Sequence, residues 1–268
     1  MKRLIVYLWI FFLAFILTGC KSNTDAYGVF LDADYNELLT DTGYDVLVLD
    51  AQYYDASQIA SLKKTNGKIL SYINIGSLED FRDYFDEYKS VTLDEYENWE
   101  GEYWVDVTDL RWQRFLLDEL VPSYIDKGVD GFFVDNVDVY YTYQSNEVFD
   151  GIVTILGALK NTQKEVIVNG GDVFVSKYLD EYGNLSDILD GVNQECVFTT
   201  IDFDNNDFYE ALDSDCDYYL DYLSRVYSTG TNVYIIEYTD NKALKNKIEK
   251  QCEELGYSVY ISDSIDLD

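Results

Sequence analysis

The chain has no histidine, one proline, one methionine and four cysteines among 268 residues. Without histidine there can be no Ser–His or Cys–His nucleophile system, no histidine general base and few of the usual zinc hydrolase designs. Any hydrolytic chemistry must then be run by carboxylates, by lysine or tyrosine, or by an oxygen-ligated metal. Cys20, Cys196, Cys216 and Cys252 lack the paired spacing of a disulfide framework or a zinc site. With a single proline and no Pro/Gly/Ser-rich stretch, nothing divides the chain into separate domains. Glycine is missing where a phosphate turn would need it. Gly28 has no second glycine at G-x-G-x-x-G spacing, and Gly170-Gly171 is too short for a phosphate loop. Positive charge is scarce: 19 Lys and Arg face 51 Asp and Glu, for a net charge of −32 at pH 7. Such a surface repels nucleic acid and anionic lipid and attracts cations. No nucleic-acid partner and no cofactor is expected.

One long apolar run is present. Lys2 and Arg3 precede Leu4–Ile16, which contains no charge, and Leu17-Thr18-Gly19-Cys20 closes it. This is the layout of a secretory signal peptide. The closing tetrad resembles the lipobox of bacterial lipoproteins, in which the cysteine is acylated. The alternative is an uncleaved anchor, since the span is near the lower limit of ~17 residues for crossing a bilayer. The expected organisation is a signal peptide over 1–19, a lipidated Cys20 with a short polar tether over 20–25, and one domain over 26–268. The protein would work as a monomer on the extracellular face of a bacterial cell membrane, held there by lipid on Cys20.

Eight short runs rich in β-branched and aromatic residues recur along that domain. They are 27–31, 45–50, 68–75, 130–135, 165–169, 191–197, 232–238 and 258–261. Amphipathic stretches lie between them, including 55–64, 110–127, 148–159 and 241–255, and Gly67, Gly128 and Gly256 follow three of the helical stretches. Strands alternating with helices imply parallel pairing with right-handed crossovers. Eight such units predict a single-domain α/β fold, the (β/α)8 TIM barrel, whose length of about 250 residues fits.

Polar residues recur at the C-terminal ends of the predicted strands: Asp50, Asn74, Asp135 with Asn136, Asn169, Glu195 and Glu237. In a barrel those ends converge on the face where active sites are built. The most informative stretch is Gly128-Val-Asp-Gly-Phe-Phe-Val-Asp-Asn-Val-Asp138. Its alternation places Gly131, Phe133 and Asp135 on one face, and Phe132, Val134 and Asn136 on the other. Asp135 is thereby a carboxylate on a rigid element, with loop capping as its alternative role and Asp138 also available for that role. Glu195 stands in an otherwise apolar run, where a charge needs a polar destination and burial would raise its pKa. Two carboxylates flanking one bond are the minimal equipment for glycoside hydrolysis. The tyrosines, 26 in number, include Tyr140, Tyr141 and Tyr143 just after Asp135. Such rings suit stacking on sugars. The acidic stretch around Asp202 and Asp207 lacks the glycine and terminal glutamate of an EF-hand and reads as a solvated loop.

Several of these motifs together resemble glycoside hydrolase family 114, the endo-α-1,4-polygalactosaminidases. Tyr72-Ile-Asn-Ile-Gly-Ser-Leu-Glu-Asp-Phe-Arg82 is similar to that family's Y-[IL]-S-I-G-E-A-E-x-Y-R segment. Trp104-Val-Asp-Val-Thr-Asp-Leu-Arg-Trp112 resembles its W-x-V-D-[VI] stretch, and Gly128 to Asp138 resembles its G-F-D-G-[VL]-[YF]-L-D-x-[VL]-D block. Asn169-Gly170, Asn193 to Glu195 and Glu237-Tyr238 follow in the family's order. The resemblance implies a barrel in which Asp135 is the nucleophile and Glu195 the acid/base of a retaining mechanism. It implies that Asp50, Tyr72, Asn74, Asp106, Asn136, Asn169, Glu237 and Tyr238 line the cleft. The implied substrate is a cationic amino-sugar polymer. Ser77 stands where the family carries glutamate, so the contact is either missing or supplied by Glu79. Two alternatives stay open: a non-catalytic lipid-anchored carbohydrate-binding barrel, and a hydrolase of another glycan such as a neutral α-glucan.

Overall fold

The computed structural model describes residues 26–97, 99–203, 205 and 207–268. The expected signal peptide, Cys20 and the tether lie outside the described residues. Eight strands form one sheet in chain order: β1 (Tyr27–Phe30), β2 (Val46–Leu49), β3 (Lys68–Asn74), β4 (Gly131–Asp135), β5 (Glu165–Asn169), β6 (Gly191–Glu195), β7 (Asn232–Tyr238) and β8 (Ser258–Ser262). Each neighbouring pair is parallel. β1 and β8 come side by side. There the Phe30 and Tyr260 rings meet at 5.3 Å, and the Leu31 N–H donates to the Leu267 carbonyl at 2.8 Å. The protein is a (β/α)8 barrel, and the predicted strand ends differ from the observed ones by at most two residues.

Period-2 alternation sorts the apolar side chains into two cores. Val46, Val48, Leu70, Phe133, Ile167, Tyr234 and Ile236 fill the lumen. Leu47, Leu49, Ile69, Phe132, Val134, Val168, Val192 and Ile235 point outward into the helical layer. Each fully buried Leu, Ile, Val or Phe contributes about 1.5–3 kcal/mol. The helix Asn146–Asn161 illustrates the outer layer. Ser145 caps it by accepting from the Val148 N–H at 3.2 Å, and Phe149, Ile152, Ile155, Leu156 and Leu159 form its buried stripe. The stretch expected as one helix over 110–127 is helical throughout but passes through a π-helical segment at Phe115–Leu120. Its buried Trp112 donates to the Ile75 carbonyl at 2.9 Å, fixing the end of β3. Gly128 and Gly256 end their helices in the left-handed conformation. Gly67 instead permits a close approach, because a Cβ there would stand 2.4 Å from the Asp45 carbonyl oxygen.

Two excursions interrupt the barrel pattern. After β3, Ser77–Glu79, Thr92–Glu95 and Glu102–Val105 form a three-stranded antiparallel sheet. After β6, Thr199–Asp202 pairs with Asp207–Glu210 as a hairpin. Strands of three or four residues carry too little periodicity to be recognised in the sequence. The segment read as a solvated acidic loop is the turn of this hairpin, where Asp202 accepts from the Asn205 N–H at 3.1 Å.

A second set of acids works at the opposite end of the barrel. Asp45, Asp130 and Asp190 precede β2, β4 and β6. They accept from the backbone N–H groups of Ala26 (3.0 Å), Ile69 (2.9 Å) and Val166 (2.9 Å) respectively. Lys63 pairs with Asp130 at 2.6 Å, and Lys160 pairs with Asp190. Each bond ties the N-terminal ends of neighbouring strands, the face that reads as stability in this fold. Asp190→Ala is expected to lower unfolding stability by about 1–3 kcal/mol, the cost of leaving a strand amide unsatisfied. Catalytic constants should stay unchanged. Denaturant melts beside steady-state kinetics check this, and an equal loss of activity at full stability would contradict it.

Candidate active site

Three adjacent strands deliver the centre. β4 ends in Asp135, β5 in Asn169 and β6 in Glu195. The two amide hydrogens of Asn169 are divided between the acids: Nδ2 lies 3.0 Å from Asp135 Oδ1 and 2.7 Å from Glu195 Oε1. Its Oδ1 accepts from Asn193 Nδ2 at 2.6 Å, and Asn193 Oδ1 accepts from the Tyr27 hydroxyl at 3.1 Å. A phenol donating to Asn193 fixes which way that amide faces, and Asn193 in turn turns the NH2 of Asn169 toward the carboxylates. The second oxygen of each acid takes a tyrosine. Tyr72 donates to Asp135 Oδ2 at 3.0 Å, and Tyr238 donates to Glu195 Oε2 at 2.5 Å.

Burial, and next the charge of Glu195, push Asp135 up to about 6, against the donors Asn169 and Tyr72, which favour its charged form. Asp135 therefore holds its proton above the ordinary carboxylate range. The alternative capping role falls to Asp138, whose two oxygens both lie 3.1 Å from the Gly171 nitrogen. Burial and the Asp135 charge raise Asp138 to about 7.

The pair opens into a cavity of about 670 Å³, within the range of small-ligand sites. Its described lining holds nine carboxylates (Asp32, Asp50, Glu79, Glu102, Asp135, Asp138, Asp172, Glu195 and Asp266) and one basic residue, Arg82. Arg82 is buried and committed, pairing with Asp50 at 2.6 Å and Glu79 at 2.9 Å. Four exposed rings, Tyr53, Phe81, Trp99 and Phe203, also face the cavity, and Trp99 meets Phe203 edge-on at 6.0 Å. Among the described residues, no group of three or more His, Cys, Asp or Glu side chains is arranged to hold a metal ion.

Of the cleft residues expected from the sequence, Asp50, Tyr72, Asn136, Asn169 and Tyr238 line this cavity with the carboxylate pair. Three others stand elsewhere. Glu237 is fully buried on the outer face of β7, because alternation gives the lumen to Tyr234, Ile236 and Tyr238. It accepts from the Val197 and Phe198 N–H groups at 2.8 Å each and from the Thr199 hydroxyl at 2.5 Å. Asn74 lies buried beneath Tyr72, spending its amide on Tyr72, Ser77 and Glu102. Asp106 is turned into its own loop, accepting from the Thr108 N–H at 3.0 Å and hydroxyl at 2.6 Å. The carboxylate against Ser77 comes from Glu102 rather than from Glu79, which is held by Arg82. Tyr27, Asn193 and Glu102 were not singled out from the sequence. Alternation in β6 puts Asn193 on the face of Glu195 and could have found it; Tyr27 and Glu102 carried no local signal.

Comparison with known proteins gives a consistent set of relatives. The model of glycoside-hydrolase family GH114 matches residues 20–268. "Uncharacterized protein MJ1477" of Methanocaldococcus jannaschii is 24% identical over 268 aligned positions, covering 87% of this chain and 73% of that protein. The glycoside hydrolase domain of PelA from Pseudomonas aeruginosa superposes with a TM-score of 0.74 at 17% identity, over 91% of this chain and 95% of that one. Ega3 of Aspergillus fumigatus, solved in complex with galactosamine, superposes with a TM-score of 0.67 at 18% identity, over 91% and 92% of the two chains.

Asn169→Ala should lower kcat about 10²-fold or more, the loss seen when a preorganised donor is removed. Because Asn169 stabilises ionised Asp135, its removal raises that group further. The acid limb of kcat/KM, rising with pH through about 6, should move to higher pH. A pH–rate profile of the variant checks this, and an unmoved limb would show that Asn169 does not control the charge of the pair.

Proposed function

Since the chain belongs to glycoside hydrolase family GH114 and is a glycoside hydrolase, we propose that it cuts internal bonds of an α-1,4-linked galactosamine-containing polysaccharide by a retaining mechanism. The observation that carries this reading is the single Asn169 amide hydrogen-bonded to both Asp135 and Glu195 at the floor of an acidic cavity. Asp135, held by Tyr72 and Asn169, attacks the anomeric carbon as the glycosidic bond breaks. Glu195 protonates the departing oxygen. It then takes a proton from the water that releases the sugar from Asp135.

Retention is supported by the bridge itself. Oxygens bonded to one nitrogen at 3.0 and 2.7 Å can lie no farther apart than those bonds laid end to end. These two facing oxygens are thus closer than the ~6.5–9.5 Å between the carboxyl groups of inverting enzymes, which favours direct attack by Asp135 over a water held between the acids. A cationic substrate is supported by nine carboxylates set against one already paired arginine. The galactosamine bound to Ega3 supports the same sugar. Cutting within a chain is supported by the exposed rings, which offer stacking faces for sugars beyond the one being cleaved. The reading includes an outer-surface location through lipid on Cys20, supported by Leu17-Thr18-Gly19-Cys20. Intact-mass analysis of membrane-extracted protein should find an acylated Cys20 as the first residue, and an intact Met1 would sink that part.

The purified protein is expected to shorten de-N-acetylated galactosamine oligomers into products that keep their anomeric configuration, read by NMR. Asp135→Asn and Glu195→Gln should each lower kcat on the polymer by about 10²–10⁴. On an aryl glycoside with a good leaving group, Glu195→Gln should lose much less in the first step, and Asp135→Asn should lose as much as before. Added salt should raise KM for the cationic polymer. Inverted product would reject the nucleophile role of Asp135. Binding without cleavage would leave a carbohydrate-binding barrel, and cleavage of neutral glucans alone would assign another substrate.

A further inference from the structure

Glu102 comes from the antiparallel excursion rather than from a barrel strand, yet it lines the cavity with Asp135. Its Oε1 accepts from Asn74 Nδ2 at 3.1 Å, from Asn136 Nδ2 at 2.8 Å and from the Ser77 hydroxyl. Three donors on one oxygen hold the carboxylate rigidly, and none of the described hydrogen bonds ends on Oε2. The path from there to the reacting centre is short. Asn74 Nδ2 lies 3.2 Å from the Tyr72 hydroxyl, which lies 3.0 Å from Asp135 Oδ2.

The other cavity acids are already engaged or peripheral. Asp50 and Glu79 share Arg82, and Asp138 holds the Gly171 amide. Asp172 accepts from the Tyr218 hydroxyl, and Asp32 and Asp266 are exposed. Glu102, Asp138 and Asp172 are partly buried cavity acids outside the catalytic pair with no salt-bridge partner among the described residues, and of the three it is Glu102 that is linked through Asn74 and Tyr72 to Asp135. Burial raises Glu102 to about 7, with the Glu79 and Asp135 charges adding to the rise against the Ser77 and Asn74 donors. A cation placed beside it would relieve both effects.

We propose that Glu102 receives the ammonium group of the galactosamine ring held over Asp135, so that it selects the free amine over the N-acetylated sugar at the cleaved residue. The proposal rests on the amino-sugar reading above and names the group that reads the amine. An ammonium offers three charged donors to a carboxylate shielded from water, where a charge-assisted bond is strong. An N-acetyl group offers one neutral N–H, and its carbonyl oxygen would face a carboxylate.

The test compares wild type and Glu102→Gln on length-matched galactosamine and N-acetylgalactosamine oligomers. The glutamine keeps an acceptor oxygen for Ser77, Asn74 and Asn136. The expected result is a roughly 10–100-fold fall in kcat/KM on the amine form, carried by KM, with the acetylated form held within about twofold. Equal losses on both forms, or no change on either, would overturn the assignment. Should Glu102→Gln fail to fold, Glu102→Asp keeps the charge and must keep the amine preference. Calorimetry on the Asp135→Asn variant, with and without Glu102→Gln, separates this proposal from the catalytic one. It uses galactosamine and N-acetylgalactosamine as ligands. A preference for galactosamine that Glu102→Gln abolishes supports the Glu102 assignment even if no galactosamine polymer is cut, and a preference that survives the change sinks it.

Discussion

The arrangement depends on one neutral amide holding two negative groups together. Asp135 and Glu195 repel each other across a partly desolvated site, where Coulomb forces are stronger than in water. A lysine between them would remove the repulsion and also tie up both acids as ion pairs. Asn169 offers one N–H to each and adds no charge. The pair stays close and keeps part of its mutual repulsion, which contributes to the raised Asp135. Orientation of that amide descends through Asn193 to Tyr27 deep in the lumen. Buried polar chains of this kind are stable only when each member is satisfied. Tyr27, Asn193 and Asn169 meet that condition on three different strands.

The large negative charge is not one property. At the N-terminal ends of the strands, Asp45, Asp130 and Asp190 accept from neighbouring backbone amides, two of them with lysine partners. At the C-terminal ends the acids converge on a cavity whose only described basic residue is already neutralised. The first group is spent on strand pairing. Of the second, Asp50, Glu79 and Asp138 are engaged within the protein, and Asp135, Glu195 and Glu102 are left to act on a ligand. A count of Asp and Glu suggests a cation-attracting surface, but only the position of each acid along its strand says which of them can do it.

Strand alternation made much of this legible. The eight strands and the lumen face of Asp135 follow from period-2 patterning, and the pairing of Asp135 with Glu195 follows from their places at the ends of β4 and β6. The same rule, applied to β7, would have turned Glu237 outward, since Tyr238 beside it faces in. Treating every polar strand end as a cleft residue overrode that distinction. Asp106 and Asn74 were misread for another reason. Their partners, Thr108 in a turn and Glu102 across the excursion, depend on segments too short to show a period. Glu102 itself reaches the site through an antiparallel sheet with no counterpart in the repeating strand–helix pattern. Position in three dimensions, not residue type, makes it part of the cavity.

The misplaced Glu237 still bears on catalysis, through the backbone. The residue after each central side chain takes a left-handed conformation: Asn136 (φ 61°) after Asp135, Gly170 (φ 66°) after Asn169, and Cys196 (φ 57°) after Glu195. The sharp turn frees the chain from the strand at once and leaves the side chain at the lip of the barrel. Glycine takes this conformation readily, and asparagine tolerates it. Cysteine has neither advantage, so its turn costs on the order of 1–2 kcal/mol. The next two amides, of Val197 and Phe198, both donate to the buried Glu237 carboxylate, and the Cys196 N–H donates to the Ile236 carbonyl at 3.0 Å. Strain at such a site persists when its surroundings over-determine it. β7 therefore supports Glu195 from both faces, with Tyr238 bonded to the carboxylate inside the barrel and Glu237 bracing outside it the turn that carries that carboxylate.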